Sequence, residues 1–270
     1  MKSINVYADH GTAFESRLQA GLDLARSQSG HISFIQVTPY SAFMLMDPMG
    51  GSYVPNSTLE QLRVDEAKLR DLIETKMTGE DVTWDFIQYD GDVVQSMVSA
   101  ARLADVMVLS LDNVEHGVRA HPLLGIDDLV VNSRCPVLAV PFAHKWLNTA
   151  GTILVAWDGG HEAANALRAA LPMLKRADQV HLLTIAEKPE SFPSTAASAY
   201  LSRHGVSSEL IARERGDVPI EQVIDHVAGE ISADLIVMGA YGHSRLRELL
   251  LGGVTKYFLS DSNIPLLLAH

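Results

Sequence analysis

Close to the carboxyl end, the chain carries a stretch of nearly bare backbone. Gly239-Ala240-Tyr241-Gly242 is followed by nine residues, His243 to Leu251, and then by Gly252-Gly253-Val254-Thr255. Glycine at these places lets amide N–H groups turn inward, and a helix opening near Gly253 aims its positive end at the same point. The chemistry expected is anion holding, a main-chain cradle for phosphate. The competing reading is a plain strand-to-helix turn that needs glycine only for its backbone. Arg245 and Arg247 lie on the covering segment and would add charge-assisted bonds, unless they form a solvated face paired with Glu248. Asp158 ends an apolar run beginning at Thr152. Trp157 beside it either stacks on a base or fills the core, and the core suits an apolar residue at a strand end better.

Other chemistries lack their residues. The Gly-x4-Gly-Lys-Ser/Thr phosphate loop is absent, and neither half opens with Gly-x-Gly-x2-Gly after its first strand. Eleven histidines are scattered without metal-ligand spacing, and no Gly-x-Ser-x-Gly elbow offers a nucleophile. Cys135, the single cysteine, precedes a strand proline in apolar surroundings, which reads as a buried, inert thiol.

The elements that must position the loop alternate regularly. In the carboxyl half the pattern predicts strands at 152–158, 180–185, 210–213, 235–238 and 265–269. Helices are predicted at 161–176, 220–231 and 254–259. The amino half repeats the order with strands at 4–8, 32–37, 83–88, 106–109 and 136–140, and helices at 13–25 and 93–103. Asp9 answers Asp158, Gly91-Asp92-Val93 answers Gly216-Asp217-Val218, and Cys135-Pro136 answers Ile264-Pro265. Matching landmarks at matching spacing imply an internal duplication, and strands alternating with helices imply parallel sheets covered on both faces. The domains expected are 1–145 and 150–270, divided where Pro, Gly and polar residues gather between Phe142 and Ala150. An insert over 41–80 interrupts the amino copy, with Ser57 as the cap of a helix running to Met77. The insert reads as an extra helix packed on the sheet; the alternative is that Met44, Met46 and Met49 line an apolar ligand or a soft metal site, the metal disfavoured because no Cys or His lies near them in sequence.

Composition narrows the partners. The 270 residues are 47% hydrophobic and 20% charged, as in ordinary globular chains, and the net charge of −12 repels nucleic acid and anionic lipid. No run reaches the ~20 apolar residues of a membrane span. The amino end does not read as a signal-peptide core, and the compartment expected is the cytoplasm.

The Asp-terminated first strand and the Gly-x2-Gly-x9-Gly loop together resemble the universal stress protein family, and the resemblance runs through both halves. It implies two Rossmann-like α/β domains of the adenine nucleotide α-hydrolase-like type, each a five-stranded parallel sheet with helices on both faces, related by a pseudo-twofold. The resemblance also implies an ATP or other adenine nucleotide site in the carboxyl half, with Mg2+ entering only alongside the nucleotide. Adenosine would lie between Asp158 and Ile185, and the phosphates over Gly239, Gly242, Gly252, Gly253, Val254 and Thr255, with Arg245 nearby. Gly253 departs from the family's Ser/Thr, which weakens the site. In the amino copy the aligned positions are Ser110, Asn113, Leu123 and Leu124, so that copy is expected to bind no nucleotide. Subunits of the family pair through their last strands. Here 136–140 and 265–269 would pair within one chain as an internal pseudo-dimer, leaving room for a further homodimer. The function implied is a binding and signalling module for an unknown protein partner. The rivals are a slow ATPase or self-phosphorylating enzyme, and a carrier of an apolar small molecule in the amino copy.

Overall fold

The computed structural model describes residues 1–46, 51–111, 125–142, 144–186, 192–242 and 253–270. Met49, Asn113, Leu123, Leu124, Arg245, Arg247, Glu248 and Gly252 lie outside them.

Short apolar runs become strands. In the amino half these are β1 (Ser3–Ala8), β2 (His31–Thr38), the two-residue β3 (Leu45–Met46) and β4 (Ser52–Tyr53), β5 (Thr83–Asp90), β6 (Val106–Ser110) and β7 (Val137–Val140). The carboxyl half supplies β8 (Thr152–Ala156), β9 (Gln179–Ala186), β10 (Glu209–Glu214), β11 (Leu235–Gly239) and β12 (Leu266–Ala269). The helices are α1 (Phe14–Gln28), α2 (Asn56–Met77), α3 (Val93–Ala100), α4 (Ile126–Ser133), α5 (His161–Leu174), α6 (Ser194–Arg203), α7 (Ile220–Glu230) and α8 (Val254–Asp261).

Ten strands form one sheet in the order β10-β9-β8-β11-β12-β7-β6-β1-β2-β5. Each half therefore lays its five strands in the order third, second, first, fourth, fifth. Neighbours are parallel throughout except at the centre, where β12 and β7 pair antiparallel with Leu267 opposite Leu138. The two five-stranded parallel sheets expected are both present, and their last strands join them edge to edge at this seam. Both central strands are wholly buried, which removes two exposed edges at once. The outer strands β5 and β10 keep alternating or exposed faces, as sheet edges do.

Helices cover both faces. One core joins Phe14 and Leu18 of α1, Ile73 of α2, Leu167 of α5 and Leu201 of α6. The other joins Met97 of α3, Leu129 of α4, Val227 of α7 and Phe258 of α8. Each core passes from one half of the sheet into the other.

Several local expectations shift. The insert helix starts at Asn56 behind Pro55 without a side-chain cap, so Ser57 does not cap it. Met44 and Met46 precede it at β3, which pairs antiparallel with β4, and both are exposed. Residues 101–103 tighten into a 3-10 turn after α3, because the helix ends at Ala100. The Gly91-Asp92 landmark has a clear local cause: Gly91 adopts φ +127° and the Asp92 carboxylate accepts the Gln95 N–H at 2.8 Å, capping α3. Both α4 and α6 went unread in the pattern, the second because only Ala197 and Leu201 of its ten residues are buried.

Candidate functional site

In the carboxyl half β8 has β9 on one side and β11 on the other, so the strand order reverses between β8 and β11. A crevice opens at the carboxyl ends of such strands. Met238 lies opposite Ala156 there, the last pair of the register, with Gly239 following on one strand and Trp157-Asp158 on the other. The residues singled out in two distant parts of the sequence thus meet at one edge.

Asp158 is exposed, and its Oδ1 accepts the Gly160 N–H at 2.8 Å at the head of α5, with Gly159 at φ +77° completing the turn. Trp157 is buried, 5% exposed, and its indole N–H donates to the Phe192 carbonyl at 3.2 Å while its ring tilts against Phe192. It is a core residue. Ile185, half-buried on β9, sits beside Arg213 of β10 and packs into the second core.

Gly239 is required by close packing. A Cβ built there would lie 2.6 Å from the Glu162 carbonyl carbon and would collide with the Ala163 backbone nitrogen, so α5 begins directly against β11. Ala240 is fully buried and donates its N–H to the Ala269 carbonyl at 2.9 Å. Tyr241 takes φ +61°, a left-handed conformation that costs a residue with a Cβ about 1 kcal/mol or more. Gly242 comes next, and a Cβ there would lie 2.5 Å from Glu162 Oε2. Glu162 therefore reaches over the bare main chain, a contact that sequence reasoning missed.

Gly253 stands at the cap position of α8 without a side-chain bond, and Val254 and Thr255 open the helix. Thr255 is 5% exposed, so its hydroxyl is packed inward while the helix start still presents its positive end. Of the nine residues expected at the site, Asp158, Ile185, Gly239, Gly242, Gly253, Val254 and Thr255 are described, and Arg245 and Gly252 lie outside the described residues.

The amino half shows the same plan with different contents. Asp9 Oδ1 accepts the Gly11 N–H at 2.9 Å, matching Asp158 and Gly160. Ser110 ends β6 where Gly239 ends β11, and it is fully buried. Arg17 fills the space between them with 0% exposure, so a side chain occupies this crevice. Among the described residues no cluster of three or more His, Cys, Asp or Glu is placed to hold a metal, and no helix is long and apolar enough to cross a membrane.

Residues 150–270 match the model of the universal stress protein family. A universal stress protein of Synechocystis is 27% identical over 140 residues, 49% of this chain and 46% of that protein, so the chain spans about half the length of that relative. The stress response protein NhaX of Bacillus subtilis is 27% identical over 164 residues, 44% of this chain and 97% of that protein. A universal stress protein from Archaeoglobus fulgidus shares the fold over 99% of this chain and 96% of its own, with TM-score 0.75 at 15% identity. Residues 150–270 are thus similar to one domain of the universal stress protein family, and the chain as a whole shares the fold of the Archaeoglobus protein.

Proposed function

We propose that the protein is a binding and signalling module that holds an adenine nucleotide weakly in its carboxyl half, and that residues 1–145 are a second, degenerate domain of the same kind. The observation carrying the reading is the meeting of Asp158, Gly239 and Gly242 at the strand-order reversal, where α/β sheets take their ligands. Asp158 is exposed and able to accept from a ribose hydroxyl, and the main chain near Gly242 and the start of α8 favours negative charge.

Two features make the binding weak. Gly253 offers α8 no hydroxyl, and the Glu162 carboxylate stands where the phosphates would approach. Mg2+ would enter with the nucleotide and offset part of that repulsion. Signalling follows from linkage: a nucleotide preferring one arrangement of 239–255 shifts the population of surfaces shown to a protein partner.

The test is calorimetry with ATP, ADP and AMP, each with and without Mg2+, alongside thermal shift. Saturable binding that is lost in Gly242→Leu is the expected result. No heat and no thermal shift at millimolar nucleotide would overturn the reading. Phosphate release from the same samples separates a holder from a slow ATPase.

A further inference from the structure

Arg17 is among the largest wholly buried side chains of the protein, and a buried charge is costly unless its hydrogen bonds are met. They are met with all three of its nitrogens. Nε donates to the Tyr7 carbonyl at 2.9 Å, Nη1 to Ser110 Oγ at 2.9 Å, and Nη2 to Asp9 Oδ1 at 2.5 Å. Ser110 is itself oriented, since its hydroxyl donates to the Ala13 carbonyl at 3.2 Å and so turns its oxygen toward the guanidinium. The rings of Tyr7 and Phe14 stand 5.6 and 5.7 Å from the guanidinium carbon.

The position matters as much as the contacts. Tyr7 and Asp9 lie at the carboxyl end of β1, and Ser110 at that of β6, the two strands between which the amino half reverses its order. This is the counterpart of the crevice between β8 and β11. Counting from Asp9 and Asp158, the place of Arg17 is taken in the other half by Ala166, and that of Ser110 by Gly239. At these two positions one half holds a cation and a hydroxyl, and the other an alanine and a glycine.

We infer that the amino-half crevice is a guanidinium site filled in cis, with Arg17 as its internal ligand. The acceptor set, one carboxylate, one carbonyl and one oriented hydroxyl between two aromatic rings, is specific for a planar, multiply donating cation. Arg17 ties β1, β6 and α1 into the arrangement a bound ligand would otherwise hold, and closes this half to nucleotides. The inference is independent of whether the carboxyl half binds a nucleotide.

In the full chain, Arg17→Ala removes an ethylguanidinium, and that cation is the probe. The variant should melt roughly 10 °C below the parent. Millimolar ethylguanidinium should recover a substantial part of the loss, while ethylammonium recovers little and the parent chain does not respond. A variant melting with the parent, or one that both cations restore equally or neither restores, overturns the inference. Should Arg17→Ala not fold, Arg17→Lys carries the test: an ammonium cannot serve all three acceptors in their places, so its midpoint should fall. Adding Ser110→Ala should then cost less than it costs the parent. A lysine variant as stable as the parent, or an undiminished Ser110→Ala effect, overturns it equally.

Discussion

Replacing Glu162 by Gln tests the nucleotide reading at its weakest point. The carboxylate reaches Gly242 closely enough that a Cβ there would lie 2.5 Å from Oε2, and a phosphate held by the neighbouring amides would stand within ~5 Å of it. Two unit charges at ~5 Å repel by about 0.8 kcal/mol in water and about 3 kcal/mol at an effective dielectric of ~20. Glu162 is half-buried and salt screens the remainder, so the net penalty is about 1–2 kcal/mol. Glu162→Gln keeps the shape and removes the charge, and it should tighten ATP binding about five- to thirty-fold. The assay is calorimetry in EDTA at low salt, with a repeat at high salt where the gap between variant and parent should narrow. With Mg2+ present the gain should shrink, since a cation between carboxylate and phosphate cancels the repulsion. A variant whose affinity without Mg2+ stays equal to the parent's would refute the electrostatic reasoning.

Three further predictions concern Gly239, Cys135 and Tyr7. Gly239→Ala forces a Cβ into the backbone at the start of α5 and should cost about 1–3 kcal/mol in urea unfolding; an unchanged midpoint contradicts the close-packing account. Burial, then the charge of Asp105, pushes the Cys135 thiol up to about 12, so it should stay unreactive to a disulfide reagent at pH 8 until the chain unfolds. Rapid labelling of the native protein would disprove this. Burial, then the charge of Asp9, pushes the Tyr7 phenol up to about 12. A raised acid favours its neutral form in the fold. Its contribution is therefore complete below the ordinary value near 10 and lost as pH rises toward 12, visible as a late-titrating phenol in an ultraviolet titration and a parallel fall in stability.

Much of the architecture is legible locally. Runs such as Ile153–Val155 and Val106–Leu109 are buried on both faces, so they announce central parallel strands whatever surrounds them. The Asp9/Asp158 and Gly91/Gly216 correspondences expose the repeated plan because each marks a turn whose backbone needs are met within a few residues. Short or weakly striped helices escaped, as α6 shows with two buried residues in ten.

The site divides the same way. Glycine spacing around 239–253 and the carboxylate of Asp158 are properties of the chain itself, and so is the alternation of strands and helices that puts them at strand ends. That Glu162 overhangs Gly242, and that Arg17 fills the matching crevice beside Ser110, were decided only in three dimensions. Arg17 and Ser110 are 93 residues apart, and neither has a local pattern to betray the other. A period of two or 3.6 residues reports which side of an element faces the core, while the identity of the group met across that core depends on strand order and register.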